Sequence, residues 1–352
     1  MSQLRQNLAT GEWVVISPER LKDRQLISQP NALLDSIPAY AENCPFCPRN
    51  AHRFENIEIA SVPHPDPANS ARSPWLAHTI ENKFKIFHED STCHVQPVEF
   101  RHEGIYNSFM NCGRHELVVE SPIHNETYAT MSPNGVKAVV RMFIDRLNAI
   151  RGNPHHLQTI VFKNHGSRSG ASQIHSHSQI VSMHVVPNFI RFLLEEAQRY
   201  FDSHGICVFC KMIAYELDQD VRIVYRNRSF VSYIPYAAAT PYEINIFPLA
   251  HESLFGDMSE DGVTDLADCL QQTMGKLYLA LSNPDFNFIL RNPPHSLSAV
   301  PFYHWHIQVV PHLKSPGGFE LGSRVSVNEV VPEEAAAHLR HTDTSSLRPS
   351  ST

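Results

Sequence analysis

The chain lacks any long apolar run. No stretch of its 352 residues approaches the roughly 20 apolar residues that a membrane-spanning helix needs. The first residues, Met1-Ser-Gln-Leu-Arg-Gln-Asn7, contain no apolar segment like the centre of an export signal. We therefore expect no membrane partner and a cytoplasmic location.

Positive charge is also scarce. There are 29 Lys and Arg residues against 36 Asp and Glu residues, which gives a net charge of −7, and the pI is about 6.3. This balance argues against a nucleic-acid groove as the main functional surface. A hydrophobic content of 42% and a mean hydropathy of −0.27 are typical of a soluble protein with a core. The length suits one large domain or two ordinary ones.

Cysteine is limited to seven residues, an odd number in a chain without an export signal. A disulfide framework is therefore not expected. Four of the cysteines form two tight pairs, Cys44-Pro-Phe-Cys47 and Cys207-Val-Phe-Cys210. The remaining Cys93, Cys112 and Cys269 are expected to pack as small apolar groups. The 22 histidines, by contrast, are many and make metal binding plausible.

One stretch, Gly166–Gln179, combines a Gly/Ser-rich loop with the start of a strand. Strand side chains repeat every two residues, so His175, His177 and Gln179 share one face. The loop offers backbone N–H groups and hydroxyls suited to phosphate oxygens. A single histidine is usually a core residue, and a Gly/Ser loop alone is usually a turn. Their combination indicates chemistry on a phosphate.

The C-terminal half repeats the order of features in the N-terminal half. A helix is predicted from Ser132-Pro133 to about Ile150, and a second one follows Met258-Ser259 to about Leu281. From the Met-Ser pair to the first His of a His-x-His-x-Gln motif there are 44 residues in one half (131 to 175) and 46 in the other (258 to 304). Such agreement indicates an internal duplication.

The duplication predicts an α+β fold with two similar halves, each an antiparallel sheet with packed helices. The halves are predicted to span residues 1–200 and 201–340, and their sheets are either continuous or paired. Residues 341–352, rich in Ser and Thr, are predicted to form a disordered tail.

Each half contains a C-x-x-C pair, a His-Glu dipeptide and the first His of its H-x-H-x-Q motif. Two thiolates and two imidazoles make a closed tetrahedral shell, typical of structural zinc. The alternative is that each pair is an ordinary turn with unligated thiols. We predict two structural zinc ions per chain, the first held by Cys44, Cys47, His115 and His175, and the second by Cys207, Cys210, His251 and His304.

The chemistry is predicted to lie in the first half. Small residues surround its H-x-H-x-Q motif, whereas Trp305 stands inside the second, and phosphate approaches a backbone most easily where side chains are small. His177 is the candidate nucleophile, forming a nucleotidyl-imidazole. Gln179, Asn164 and Ser172 are candidates for binding phosphoryl oxygens. His306 and Gln308 are interpreted as a relic or a packing pair.

These features resemble the galactose-1-phosphate uridylyltransferase family of the histidine-triad superfamily. The resemblance covers about residues 5–340, including Gly11-Glu-Trp13, Ser17-Pro-Glu-Arg20, the first cysteine pair, Asn164–Gln179 and Gly318-Phe-Glu320. It implies that His175 is a zinc ligand, that His177 accepts the nucleotidyl group and that Gln179 binds the phosphoryl group. It also implies a homodimer.

Further binding residues follow from the same resemblance. Each matches a position at which the family contacts phosphate, nucleoside or hexose: Arg20, Arg24, Asn82, Asn164, Gly170, Ala171, Ser172, Lys314, Phe319 and Glu320. Arg24 matches only with a one-residue insertion.

Several residues depart from the uridylyltransferase pattern. Ser176 replaces Pro between the two histidines, Phe319 replaces Tyr, and Ser326 stands where a Gln is usual. A second cysteine pair also favours zinc over iron. These features resemble the adenylyl-transferring branch, which includes ADP-glucose phosphorylases and adenylylsulfate:phosphate adenylyltransferases.

The sequence thus predicts a nucleotidyltransferase working by double displacement between a nucleotide sugar and a phosphate or sugar phosphate. The leading prediction is the UDP-glucose:hexose-1-phosphate type, and the alternative is an adenylyltransferase that uses inorganic phosphate. A histidine-triad hydrolase is disfavoured because Gln179 stands where hydrolases carry a third His, which can act as an acid. The remaining alternative is a zinc-stabilised binding module without chemistry.

Overall fold

The computed structural model describes residues 2–21, 31, 34–65, 74–89, 93, 101–297 and 299–347. Helices are interspersed among runs of antiparallel strands, as in an α+β protein. The strands are β1 (Gln3–Gln6), β2 (Trp13–Ile16), β3 (Glu58–Pro63), β4 (Trp75–Glu81), β5 (Arg101–Glu103), β6 (Tyr106–Ser108), β7 (Gly113–Val119), β8 (Gln158–His165), β9 (His177–Met183), β10 (Ile223–Arg226), β11 (Phe230–Tyr233), β12 (Ile244–Pro248), β13 (Phe286–Arg291), β14 (His306–Pro311) and β15 (Ser326–Asn328). The helices are α1 (Pro133–Arg151), α2 (Asn188–His204), α3 (Val208–Gln219), α4 (Glu260–Ala280), α5 (Gly318–Ser323) and α6 (Pro332–His341).

Ten strands form one sheet in the order β10-β11-β12-β14-β13-β8-β9-β7-β4-β3. From the central β8–β13 pair, the N-terminal half runs outward as β8-β9-β7-β4-β3 and the C-terminal half as β13-β14-β12-β11-β10, so corresponding strands take corresponding places. All neighbouring strands are antiparallel. The two half-sheets meet where β8 pairs with β13, with Asn164 opposite Asn287. The predicted α+β class with two duplicated halves is confirmed, and the sheets are continuous. The boundary near residue 200 stays a prediction.

Helices α1 and α4 occupy equivalent places in the two halves and begin in the same way. Ser132 Oγ accepts a hydrogen bond from Gly135 N, and Ser259 Oγ accepts one from Gly262 N. Such caps contribute about 1 kcal/mol each. The apolar faces of both helices pack into one core beneath the sheet. This shared core underlies both halves of the sheet.

The sheet has one face against these helices and an open face that carries the predicted chemistry. In β9 the residues alternate, so Ser178 and Ile180 face the core, while His177 and Gln179 face the opposite side. Register places Gln179 beside Leu117 of β7 and Phe162 of β8. The open face is therefore continuous across these three strands.

Two predictions about the remainder of the chain need correction. Cys93 and Cys112 are bonded to each other, with Cα atoms 5.5 Å apart, because the His88–Cys112 bridge brings the start of β7 beside residue 93. Residues 345–347 form a 3-10 turn, and Leu347 packs beside Leu34 and Tyr278, so 341–347 are not part of a disordered tail.

Cys269 is a buried free thiol, as predicted. Among the described residues, no helix has the length and apolar content to cross a lipid bilayer.

Candidate active site

A cavity of about 790 Å³ opens on the N-terminal part of the open face. His177, Gln179 and Ser172 lie in its lining, together with the segments 54–57 and 82–86. Much of the lining is apolar or aromatic, with a few polar groups near His177, as is usual for a small-molecule site. The structure thus brings the predicted nucleophile and its phosphoryl-binding partner into one concave site.

The ring of His177 is held in one orientation. Its Nδ1 lies 2.8 Å from the carbonyl oxygen of His175, to which it donates, so the unprotonated nitrogen is Nε2. Burial lowers the pKa of His177, and the ring is therefore neutral near pH 7. Phe46 packs against it with ring centroids 5.2 Å apart. A neutral imidazole with a free, oriented Nε2 is equipped for nucleophilic attack.

The loop before His177 is a closed turn. The amides of Ser169, Gly170 and Ala171 donate to carbonyls inside the loop, so these three amides do not form the predicted phosphate cradle. Ser172 lines the His177 cavity, while Asn164 lines an adjoining hollow of about 350 Å³ on the same face. The side chains of this segment and the backbone after Ala171 remain as candidates for the predicted phosphoryl contacts.

The first cysteine pair lies beside His175, as predicted, but the second histidine of this group is His124 rather than His115. The ligand atoms of Cys44, Cys47, His124 and His175 all lie within 4.8 Å of one another, and all four residues are buried. The prediction of His115 as a ligand is wrong because His115 lies within β7 and points to the open face. His124 follows the end of the same strand by five residues.

The spacing of this first group fits a tetrahedral metal. His175 Nδ1 lies 3.5 Å from Cys44 Sγ and 3.7 Å from Cys47 Sγ, and His124 Nδ1 lies 3.6 Å from Cys47 Sγ. A tetrahedral zinc ion with a Zn–S distance of ~2.3 Å and a Zn–N distance of ~2.0–2.1 Å gives a sulfur–nitrogen separation of about 3.6 Å. His175 Nε2 donates to the carbonyl of Ser121 over 2.7 Å, which leaves Nδ1 for a metal.

A second Cys2His2 group lies in the C-terminal half and consists of the predicted residues Cys207, Cys210, His251 and His304. Cys210 Sγ is 3.2 Å from His251 Nδ1 and 3.5 Å from His304 Nδ1. His251 Nε2 lies 3.1 Å from the carbonyl of Val300, the kind of support that orients a ligand ring. Both groups can therefore hold a metal ion.

Metal content distinguishes the two histidines of the first group. We expect purified wild-type protein to contain two equivalents of metal per chain and His124→Ala to contain one, because three donors leave an open shell. His115→Ala is the matched control and is expected to retain two. Elemental analysis by inductively coupled plasma mass spectrometry measures both, and loss of an equivalent from His115→Ala would contradict the assignment.

His115 instead supports Gln179. Ile86 N donates to His115 Nδ1 over 3.2 Å, which places the ring proton on Nε2, and this donates to Gln179 Oε1 over 2.8 Å. Burial lowers the pKa of His115, in agreement with a neutral ring. With its oxygen occupied, Gln179, which lines the cavity, retains its amide N–H group as a donor. That group suits donation to phosphoryl oxygens.

A buried ion pair, not predicted from the sequence, lies beneath the strand that carries His177. Lys163 Nζ is 2.6 Å from Glu120 Oε2 and 2.7 Å from Ser176 Oγ. Glu120 also accepts hydrogen bonds from Tyr128, Ser176 and Ser178. Burial alone raises the pKa of Glu120, but the charge of Lys163 and these hydroxyls bring it below its ordinary value. The network fixes Ser176, which separates His175 from His177.

In the second H-x-H-x-Q motif, the side chains of His306 and Gln308 are engaged by contacts within the protein. His306 stacks on Phe247 with centroids 4.6 Å apart, and burial lowers its pKa to about 3. Gln308 Oε1 accepts from Arg291 over 2.6 Å, and Gln308 Nε2 donates to Glu243 over 2.8 Å. These contacts agree with the interpretation as a packing pair.

The other predicted binding residues fall into two groups. Asn82 lines the His177 cavity, where its Nδ2 lies 3.4 Å from His115 Nδ1, the nitrogen that accepts. Lys314 and Arg20 instead converge on Glu329, and Lys314 Nζ also lies 3.4 Å from Glu320. Phe319 is exposed beside them on α5. None of this second group lines the cavity, and Arg24 lies outside the described residues.

Comparison with known proteins identifies the family. A profile of galactose-1-phosphate uridyl transferase, N-terminal domain, matches residues 1–187, which is more than half of the chain. The chain belongs to the galactose-1-phosphate uridyl transferase family. This membership confirms the predicted resemblance and the prediction of a nucleotidyltransferase.

Relatives within the family carry two different names. The chain is 30% identical to an ADP-glucose phosphorylase of Arabidopsis thaliana over 345 residues, which cover 96% of this chain and 92% of that one. It is 26% identical to a galactose-1-phosphate uridylyltransferase of Thermotoga maritima over 352 residues, 97% of this chain and 99% of that one.

Solved structures of family members have the same fold. The crystal structure of the Arabidopsis ADP-glucose phosphorylase with bound ADP-glucose superposes with a TM-score of 0.80 at 28% identity, covering 97% of this chain and 99% of that one. A uridylyltransferase structure gives a TM-score of 0.71 at 24% identity, covering 97% of both chains, and supports the fold alone.

Proposed function

We propose that this protein transfers an adenylyl group from ADP-glucose to inorganic phosphate through a covalent adenylyl-His177. The observation that carries the proposal is the free, oriented Nε2 of His177 in a cavity beside a Gln179 amide donor. The reaction has two steps, each an in-line displacement at the α-phosphorus.

In the first step His177 Nε2 attacks the α-phosphorus of ADP-glucose. A P–N bond forms, the bond from phosphorus to the bridging oxygen breaks, and glucose 1-phosphate leaves. In the second step a phosphate oxygen attacks the same phosphorus, the P–N bond breaks, and ADP leaves. Gln179 donates to the phosphoryl oxygens in both steps without adding charge, while the His175 carbonyl stabilises the positive charge on the ring.

The choice of ADP-glucose over UDP-glucose is supported by similarity and by residues near His177. Identity is higher to the ADP-glucose phosphorylase than to the Thermotoga uridylyltransferase. Ser176, one of the residues by which the chain resembles the adenylyl-transferring branch, takes part in the buried Glu120–Lys163 network. Apolar side chains in the lining of the cavity, Phe54, Ile57, Phe84 and Ile86 among them, offer surfaces on which a purine can stack.

Zinc is the metal we propose for both Cys2His2 groups, because their donors are the soft and borderline ligands that it prefers. Burial raises the pKa of Cys44 to about 11, so a thiolate there needs a bound cation. Bound zinc would lock the Cys44–Cys47 segment and His175 in place, and with them Phe46 and the carbonyl that orients His177.

We propose a homodimer as the working form. The group formed by Arg20, Lys314, Phe319 and Glu320 is separate from the cavity of its own chain. The family resemblance assigns the last three to hexose binding, and a second copy of the chain is the natural source of such contacts at each cavity.

Formation of the covalent adenylyl-protein intermediate tests the proposed function directly. We expect wild-type protein incubated with ADP-glucose, and then freed of ligand, to gain the mass of one adenylyl group per chain. Intact mass spectrometry at non-acidic pH measures the gain, since phosphoramidates hydrolyse in acid. UDP-glucose and adenylylsulfate are tested in parallel.

The outcomes separate the candidate reactions. A uridylyl-sized gain would make the protein a uridylyltransferase, and a gain from adenylylsulfate alone would change the donor. Discharge of the labelled protein by phosphate, with release of ADP, is expected to be much faster than discharge by water. Faster loss to water would indicate a hydrolase, and no gain from any donor would contradict the covalent mechanism.

A further inference from the structure

A strand of the C-terminal half reaches into the loop that precedes His177. Asn287, on β13, donates through Nδ2 to Asn164 Oδ1 over 2.8 Å and to the carbonyl oxygen of Ser169 over 3.1 Å. His312 in turn lies in hydrogen-bond contact with Asn287 Oδ1. Both amide protons and the oxygen of Asn287 are therefore used, and the orientation of its side chain is fixed.

This contact decides which way the Asn164 amide points. Asn164 Oδ1 accepts from Asn287, so Asn164 Nδ2 is the atom that remains to face the open side of the sheet. No hydrogen-bond partner for Asn164 Nδ2 occurs within the described part of the chain. Phe162 lies opposite Gln179 in the β8–β9 register, and continuing that register by two residues places Asn164 opposite His177. On that register the free N–H group of Asn164 lies on the same face of the sheet as His177, in the neighbouring strand.

A second side chain of the C-terminal half holds the loop itself. Asp285 Oδ2 accepts from Arg168 N over 2.7 Å, within the short turn Ser167–Ser169. Gly166 makes this approach possible, because its φ is +82° and a Cβ there would lie 2.0 Å from Asp285 Oδ1. The loop is therefore shaped against Asp285 and Asn287 rather than by its own sequence alone.

We propose that Asn287 is a positioning residue for nucleotidyl transfer, which acts by turning the Asn164 amide so that its N–H group donates to a phosphoryl oxygen at His177. Asp285 supports the same function by holding the turn that supplies the Ser169 carbonyl. Asn287 thereby contributes to the chemistry without itself contacting the reacting phosphoryl group. The inference rests on the proposed covalent transfer. It gives the C-terminal half a role in that transfer through Asn287 of β13 rather than through its own H-x-H-x-Q motif.

Asn287→Asp is the sharpest test because it preserves shape and replaces the donating N–H group by an oxygen. The carboxylate repels Asn164 Oδ1 and the Ser169 carbonyl, so the Asn164 amide turns and presents an acceptor to the phosphate. We expect the rate of adenylyl-His177 formation from saturating ADP-glucose to fall about 100-fold, the usual effect of losing one donor to a developing oxyanion. Quenched samples weighed as intact protein give this rate.

The matched control is Asn292→Asp, the same change just after the same strand. Asn292 Oδ1 accepts from Phe255 N over 3.0 Å, and a carboxylate keeps that bond. We expect its rate to stay within about threefold of wild type. Metal content and the thermal midpoint of each variant report whether the fold is intact.

A double-mutant cycle with Asn164→Ala separates positioning from a general structural effect. If Asn287 acts through Asn164, the double variant forms adenylyl-His177 no more slowly than Asn164→Ala alone. Multiplicative losses, or an Asn287→Asp rate within threefold of wild type, would overturn the proposal while wild-type labelling still supports the function. A wild-type chain that accepts no label from any donor would overturn both.

Discussion

His177→Asn is expected to abolish covalent labelling and to slow nucleotidyl transfer by at least about 10³-fold, since loss of a nucleophile usually costs that much or more. Asparagine is the informative replacement because its side-chain N–H group can still donate to the His175 carbonyl. It lacks the nitrogen that would form the P–N bond. Intact mass spectrometry after incubation with ADP-glucose, together with the steady-state rate of ADP formation from phosphate, measures both losses.

The duplication supplies the control for this experiment. His306 has the equivalent place in the C-terminal motif, where its Nδ1 lies 3.2 Å from the carbonyl of His304. His306→Asn is expected to take up one adenylyl group, as the wild type does. Labelling that disappears in His306→Asn and persists in His177→Asn would mean that the reaction takes place in the other half.

Lys163→Met is expected to lower stability by about 3–5 kcal/mol, the range found when one partner of a buried ion pair is removed. Lys163 and Glu120 are both almost fully buried, so the carboxylate would stay in the core without its cation. Because the pKa of Glu120 is depressed in the folded chain, the stabilisation is present at neutral pH and is lost as pH falls through the folded value. The thermal midpoint at pH 7 is the measurement.

Two further variants test whether the stability lost in Lys163→Met comes from the unpaired buried charge. Lys163→Met with Glu120→Gln removes both charges and is expected to be more stable than Lys163→Met alone. Arg199→Met breaks an exposed ion pair on α2 and is expected to change stability by less than about 0.5 kcal/mol. Equal midpoints for Lys163→Met and Arg199→Met would show that the buried pair contributes little.

The sequence predicted the duplicated α+β architecture well, because helix periodicity, Met-Ser caps and H-x-H-x-Q spacing are local signals. It failed at His115 because two His-Glu dipeptides were treated as equivalent. In the structure His251 follows the end of β12 by three residues and His124 follows the end of β7 by five, whereas His115 lies inside β7. Alignment by strand ends, rather than by dipeptides, would have found His124.

Other residues of the site carried no local signal. Asn287 and Asp285 contact the loop at Asn164 and Arg168 from more than 100 positions away along the chain. Glu120, in the strand-end sequence Val119-Glu120-Ser121, looks like an ordinary charged residue until Lys163 and Tyr128 are seen beside it in the core. Pairings of this kind depend on the order of strands in the sheet, which the sequence alone left open.

The pairing of β8 with β13 has a consequence for synthesis of the chain. Asn164 and its partner Asn287 are 123 residues apart, so β8 leaves the ribosome long before β13 exists. During that interval β8 is an unpaired edge strand of the newly made N-terminal half. Such an edge can pair with other chains. The first H-x-H-x-Q motif, His175–Gln179, is therefore synthesised well before the strands that complete the sheet around it.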